Sequence, residues 1–362
     1  MGRSMGHSQE YRARQTGPEW SRLERLAARS GVSSLEGGPT DNGVGARMRR
    51  LYDEPARPML KLEFKVEDVF VALMERPPQL IVGDITEART VVLAPLGPVV
   101  GASINGTPLE ENSILVACRG SSFHVLETQD WLAAGVSFPE HLWQRQWPDC
   151  RSVAGVFKVD PERAARVRSE IWRLAELWSA TPERFEDEDF ARDLRDEIYG
   201  CFAAALTDGN CQKVEPSAPI KGYYELTRRI DAFLDAHQAE KIVVEDVAEA
   251  LAVSPRTIHN AMLAISGRSL YRYLRERRLW SARAMLMKQE KLIKQVALAN
   301  GFAHFGRFTQ QYTEMFGEQP AATQKRGRRE RDPAFAQPEA APTDRSSSAC
   351  AAPRSCRRRS RS

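Results

Sequence analysis

The chain reads as an α+β protein, with an antiparallel β half first and an all-helical half last. Three features carry that reading. From Leu60 to Phe157 short apolar runs are separated by turn formers, and the first of them alternates strictly with charged residues. From Ala164 to Phe202 apolar residues recur at three- and four-residue steps. From Glu225 to Gln324 two helix-turn-helix patterns stand in tandem around one long amphipathic segment.

In the β half, Leu60, Leu62, Phe64 and Val66 alternate with charges, so one face of that strand is buried. Leu80-Ile81-Val82, Val91-Val92-Leu93, Ile114-Leu115-Val116 and Phe123-His124-Val125-Leu126 are further strands. Asn105-Gly106 marks a tight hairpin, because both residues accept the positive φ that a two-residue turn requires. Short strands spaced by turns make a small antiparallel barrel or sandwich. A metal site there needs converging histidines and carboxylates. Only His124 and His141 fall in the region, seventeen residues apart, so no metal and no other cofactor is expected. Trp131, Trp143 and Trp147 follow the last strands. They either line a ligand pocket or plug the end of the barrel, and a pocket so lined takes a ligand that is aromatic or apolar in part.

Asp160-Pro161 supplies a cap and a first turn for a pair of helices. Ala164, Val167, Ile171, Leu174 and Trp178 form the apolar stripe of the first, and Phe190, Leu194, Ile198 and Phe202 that of the second. The pair packs on the β half or forms the seam of a homodimer. Residues 208–221, rich in turn formers, break the helical pattern as a linker. The expected layout is therefore a disordered basic extension over 1–57, the β half with its helix pair over 58–207, the linker, a helical domain over 222–326 and a disordered basic tail over 327–362. Met48 and Met59 leave open a natural start further along the chain.

In the first helix-turn-helix unit a helix over about Glu245–Leu251 leads to Ala252 at the turn. Ser254 then caps the next helix, with Pro255 at its first position, where no amide donor is missed. Val247, Leu251, Ile258 and Met262 face inward, which leaves Arg256, Thr257, His259 and Asn260 outside. In the second unit Ala297 lies at the helix crossing and Gly301 takes the left-handed backbone of a tight turn. Phe302, Phe308, Tyr312 and Phe316 make the apolar side, and Gly306, Arg307, Thr309 and Gln310 its exposed complement. A helix with a polar outer face, held by such a turn, fits the major groove of duplex DNA.

Gly301-Phe302, Phe308, Tyr312, Phe316-Gly317 and Pro320, together with Arg278-Leu279-Trp280-Ser281-Ala282-Arg283-Ala284-Met285-Leu286, resemble the AraC/XylS transcription regulators over about 100 residues. The chain departs from that pattern at Met262, where an aromatic is usual, at Ala252, where glycine is usual, and at Thr323-Gln324, where an aromatic and an arginine usually stand. The resemblance implies a cupin-like β-barrel sensor with a helix pair over 58–207, and a tandem helix-turn-helix domain over 222–326. It further implies a sequence-specific regulator, more often an activator. A small-molecule effector, RNA polymerase and a second copy of the chain are its implied partners beside double-stranded DNA.

Bidentate geometry suits Arg307 to guanine and Asn260 or Gln310 to adenine, and His259 can donate or accept at a base edge. Each of them otherwise touches phosphate or water. Arg228, Arg229, Arg268, Arg272, Arg275, Arg277 and Lys294 are candidates for the phosphate backbone or for plain solvation. Residues 59–221 hold 26 acids against 17 bases and residues 222–325 hold 15 bases against 11 acids. Such a division keeps DNA on the helical half. No apolar run is long enough for a membrane span, no signal peptide is evident, and the six scattered cysteines show no disulfide or zinc spacing. A cytoplasmic protein without catalytic residues is expected. An enzyme of DNA-repair type bearing the same module lacks its four-cysteine cluster or Pro-Cys-His nucleophile here, and the basic tails leave a nonspecific architectural binder as the other alternative.

Overall fold

The computed structural model describes residues 17–30, 46–52, 59–142, 147–148, 150, 152–237, 242–288 and 291–331. Trp143, Cys350, Cys356 and the Arg357–Arg361 run lie outside them. The first elements are helix α1 (Pro18–Ser30) and strand β1 (Ala46–Tyr52). Both correct the expectation of disorder across 1–57. Trp20, Leu23, Leu26 and Ala27 form a helical stripe that buries Leu23 and Leu26, and β1 pairs along its length with β4 (Gln79–Ile85).

The other strands are β2 (Lys61–Val66), β3 (Val69–Arg76), β5 (Arg89–Pro95), β6 (Ala102–Ile104), β7 (Thr107–Pro108), β8 (Ser113–Cys118), β9 (Ser122–Glu127), β10 (Trp131–Pro139), β11 (Gly155–Lys158) and β12 (Gln212–Lys213). They form two antiparallel sheets, β1-β4-β9-β6-β7 and β12-β11-β8-β5-β10-β3-β2. The antiparallel β half is as expected, although the sheets face each other without closing into a barrel. The hairpin sits at Asn105-Gly106, where φ is 53° and 79° between the paired Ile104 and Thr107. Strand β10 was not anticipated. It lies between β5 and β3 with eight of its nine residues buried, so its Leu-Ala-Ala-Gly-Val run shows no alternation.

One face of the seven-stranded sheet, with Leu62, Phe64, Val71 and Val136, packs on α2 (Pro161–Ala180) and α3 (Glu188–Leu206). The Asp160 carboxylate caps α2 as expected, accepting from the Glu162 and Arg163 amides at 2.9 and 3.3 Å. The apolar stripes of the helix pair are thus covered by the chain's own sheet, which removes them as an exposed dimer seam. Trp147 stacks on Tyr199 with centroids 5.2 Å apart in this same layer.

Beyond β12, which pairs with β11 inside the expected linker, come α4 (Ala218–Ala236), α5 (Val244–Leu251), α6 (Pro255–Ser266), α7 (Leu270–Lys288), α8 (Ile293–Ala299), α9 (Phe305–Phe316) and α10 (Pro320–Arg331). The expected linker over 208–221 is therefore partly ordered, since β11 pairs with β12 and α4 begins at Ala218. Helix α10 likewise carries order past residue 326, because Gly327 is buried where the helix crosses α7: a Cβ there would lie 2.4 Å from the Met287 carbonyl oxygen.

The two halves share a core. Leu51 and Leu80 of the five-stranded sheet bury against Leu226 and Ile230 of α4, beside Ile258 and Met262 of α6. Polar contacts cross the same boundary. His124 Nε2 hydrogen-bonds Asp231 at 2.8 Å, the Ser122 and Tyr224 hydroxyls meet at 2.9 Å, and Arg268 donates to the Leu51 carbonyl at 3.0 Å. Asp231 also accepts from the Tyr273 hydroxyl at 2.6 Å and pairs with Arg277 at 3.3 Å. Burial alone would raise the pKa of Asp231, yet the hydrogen bond and charge of His124, the hydroxyl of Tyr273 and the charge of Arg277 hold it below the usual carboxylate value. Its contribution is therefore complete above the unfolded-state value of about 3.9 and is lost as pH falls through the lower folded value. Asp231→Asn is expected to cost about 3 kcal/mol at pH 7 and to flatten the loss of stability below about pH 4. Urea titrations across pH check this, and parallel pH profiles in the two proteins would contradict it.

Candidate nucleic-acid interface

Each helix-turn-helix is built by its caps. Asp246 accepts from the Val243 amide at 2.8 Å and starts α5, which ends at Ala252 with φ 52°. A side chain is strained in this left-handed region, and the usual glycine is missing here. Ser254 Oγ accepts from the Thr257 amide at 3.1 Å, with Pro255 at the first position of α6 as expected. In the second unit Gln295 accepts from the Leu292 amide at 3.3 Å, and Gly301 makes the turn at φ 79°. Between the units α7 holds 19 residues, a rod of roughly 28 Å.

The inward residues are where the spacing placed them. Val247, Ile258 and Met262 are buried in the first unit, and Phe308, Tyr312 and Phe316 in the second, while Leu251 and Phe302 are half-buried. Thr323 takes up the Tyr312 hydroxyl at 2.8 Å and donates to Glu318 at 2.6 Å; Glu318 in turn pairs with Arg283 and Arg326, each at 2.8 Å. This network fastens α10 although the family's usual aromatic is absent. Burial would raise the pKa of Glu318, but Thr323, Arg326 and Arg283 hold it down, and burial pushes the Tyr312 hydroxyl up to about 12.

On the outer faces Arg256, Thr257, His259, Asn260, Gly306, Arg307 and Gln310 are exposed, and Thr309 is half-buried. Arg256, His259, Asn260 and Arg307 hold no hydrogen bond or ion pair among the described residues, so their polar groups face solvent. Thr309 donates to the Phe305 carbonyl at 3.1 Å, and the Gln310 amide donates to Glu314 at 2.9 Å, which ties both to their own helix. Phe305, 44% exposed beside Gly306, is a further apolar group of this face, outside the inward set of Phe302, Phe308, Tyr312 and Phe316 and assigned no role by the sequence pattern.

The expected phosphate contacts divide. Lys294 is exposed, Arg275 is half-buried, and Arg272 keeps a side chain 41% exposed while pairing with Glu276 at 2.6 Å. Arg268 is a correction. Its side chain is 1% exposed, pairs with Glu276 at 2.8 Å and donates to the Ser266 and Leu51 carbonyls, so it holds the protein together and cannot reach a phosphate. Arg277 is similarly spent on Asp231 and Asp235. Arg228 pairs with Glu225, and Arg229 donates to the Leu251 carbonyl.

Of the two roles open to the tryptophans, Trp131 and Trp147 take the buried one rather than lining a pocket. An interior cavity does lie between the sheets, but its walls are mainly aliphatic, and neither Trp131 nor Trp147 lines it. Trp131 is buried beside it and donates to Glu127 at 3.0 Å. His124, weighed in the sequence only as a metal ligand, instead joins the two halves. Burial raises the thiol pKa of Cys201 and Cys211, the opposite of a redox-poised cysteine.

Two capped helix-turn-helix units, each with a polar outer face and joined by a rod, define a tandem DNA-binding module. Residues 247–326 match the model of a helix-turn-helix domain family. A stretch of 140 residues, 38% of this chain and 43% of the relative, is 33% identical to the XylDLEGF operon transcriptional activator of Pseudomonas putida, so the chain spans under half that protein's length. Over 236 residues, 58% of this chain and 83% of the relative, it is 33% identical to the transcriptional activator RhaS of Escherichia fergusonii. A probable AraC family regulator from Rhodopseudomonas palustris is similar in crystal structure over 28% of this chain and 97% of its own, with 27% identity and a TM-score of 0.27. This chain belongs to the AraC/XylS family of transcription regulators.

Ala252→Gly is expected to raise stability by about 1 kcal/mol by removing the left-handed strain. Glu318→Ala, which removes the acceptor shared by Thr323, Arg283 and Arg326, is expected to lower it by about 2 kcal/mol. Urea midpoints of the two variants check both signs.

Proposed function

We propose that this chain is a sequence-specific DNA-binding transcription regulator, an activator, that responds to a small-molecule effector through its β half. The observation that carries the reading is the outward set of α6 and α9: two recognition helices, each with a bidentate-capable side chain facing solvent. Asn260 reads adenine and Arg307 reads guanine in successive major grooves, about 10 base pairs apart on one face. Arg256, Thr257, His259, Gly306, Thr309 and Gln310 complete the base-reading set, with Phe305 beside them for a thymine methyl group. Arg272, Arg275 and Lys294 hold phosphates and set register.

RNA polymerase is the partner that an activator bound at a promoter engages. The reading contains no catalytic step and places the protein in the cytoplasm. A homodimer belongs to it through surfaces other than the stripes of α2 and α3, which are already covered. The order of domains follows: the β half and helix pair as sensor, the helices from α4 onward as the DNA-binding domain.

Arg307→Ala is expected to weaken binding to a selected site by about 1–3 kcal/mol and to relax preference at one base pair, while Asn260→Ala does so about one helical turn away. Competition binding across single-base variants of the site reads both. An equal loss on random DNA would make either residue a phosphate contact, and loss of preference at the same base pairs would contradict the two-groove arrangement.

A further inference from the structure

The strands β4 and β9 have two destinations for their side chains. Ile81 of β4 and Phe123 and Val125 of β9 point between the sheets, where they line a cavity of about 80 Å³. The residues between them point the other way. Leu80 and Val82 join the core shared with α4 and α6, Ser122 and His124 bond Tyr224 and Asp231, and Leu126 lies where a Cβ on Gly267, at the end of α6, would approach within 3.2 Å. One layer of backbone therefore separates the cavity from the first helix-turn-helix, and successive residues touch one and then the other.

The far wall of the cavity is low in the middle. Ala72 and Gly135 are register partners on β3 and β10, and Met74 stands next to them. The charges of the lining are already matched. Lys61 pairs with Glu63, and Arg76 donates to Glu127 at 2.6 Å; Glu127 in turn accepts from Gln79 at 2.7 Å and from Trp131. A ligand bringing a further charge would leave it buried and uncompensated. The volume is near half of the roughly 150 Å³ that holds a benzene ring, and Met48 and Met74 in the walls have the rotamer freedom to widen it.

We propose that this cavity takes a compact, uncharged, mainly apolar ligand, and that its occupancy reaches the first helix-turn-helix through the alternate residues of β4 and β9. The proposal rests on the effector-responsive reading above and adds the site, the ligand class and the route. Filling the cavity presses on Ile81, Phe123 and Val125. The rigid strand moves His124 and Leu126 with them, and hence Asp231 and the end of α6. DNA affinity changes as far as the ligand prefers one arrangement of these strands.

Three probes of one shape separate the possibilities in the full chain: benzyl alcohol, benzoate and benzylamine. Benzyl alcohol is expected to raise the melting temperature by a few degrees and to change affinity for a selected DNA site several-fold, and the two ions are expected to do neither. Ala72→Leu, which fills the floor, should abolish the response, and Met74→Ala, which enlarges it, should strengthen it. His124→Gln should keep the melting shift and lose the change in DNA affinity. An equal or larger shift with either ion, or none with any probe, overturns the ligand class. A melting shift in the unaltered chain that leaves DNA affinity unchanged overturns the route. The melting shift is read without DNA, so failure of the DNA-binding reading shows separately, as binding without sequence preference.

Discussion

The carboxylate of Asp231 is the constraint on which the arrangement of the two halves depends. It is buried in α4 and receives His124 from the β half and Tyr273 and Arg277 from the long helix of the DNA-binding module. A charge in that position is stable only while its partners hold their geometry, and removing one weakens the compensation of a buried ion. The network therefore fixes β9, α4 and α7 together. Around it Leu51, Leu80, Ile230 and Ile258 supply the apolar burial, at roughly 1.5–3 kcal/mol for each fully buried side chain. Arg268 belongs to the same junction, bridging the Leu51 carbonyl and Glu276.

This junction gives the module an asymmetry. The first helix-turn-helix shares its core with the five-stranded sheet, whereas the second is built on Phe308, Tyr312 and Phe316 around the far end of α7. The second unit is fastened by the Glu318 network and touches the first core through Trp280 and Met315, which pack against both. The first is a helix-turn-helix packed directly on the β half.

The parts visible in the sequence were those whose signal is local. Capping by Asp160 and Ser254, the Asn105-Gly106 hairpin and the 3.6-residue stripes of α2, α3, α6 and α9 depend on neighbours along the chain, and the structure places them as read. What was not visible depends on distant partners. Strand β10 is buried on both faces and so lacks alternation, and β1 is a strand because β4 pairs with it. Arg268 looks like any basic residue of a DNA-binding helix until Glu276 and the Leu51 carbonyl are brought beside it. Likewise His124 has no sequence neighbour that announces Asp231, 107 residues away. The glycine at position 327 fell in the expected tail, because its close approach to Met287 exists only after α10 folds back on α7.

Amide hydrogen exchange of the full chain, free and bound to a selected DNA site, tests the central claim most directly. The account expects added protection in α6 and α9, where the recognition helices enter the grooves, accompanied by slower exchange in β4 and β9 on the other side of the shared core. Protection confined to the helices, with β4 and β9 unchanged, would contradict the claim that the five-stranded sheet and the first helix-turn-helix form one unit.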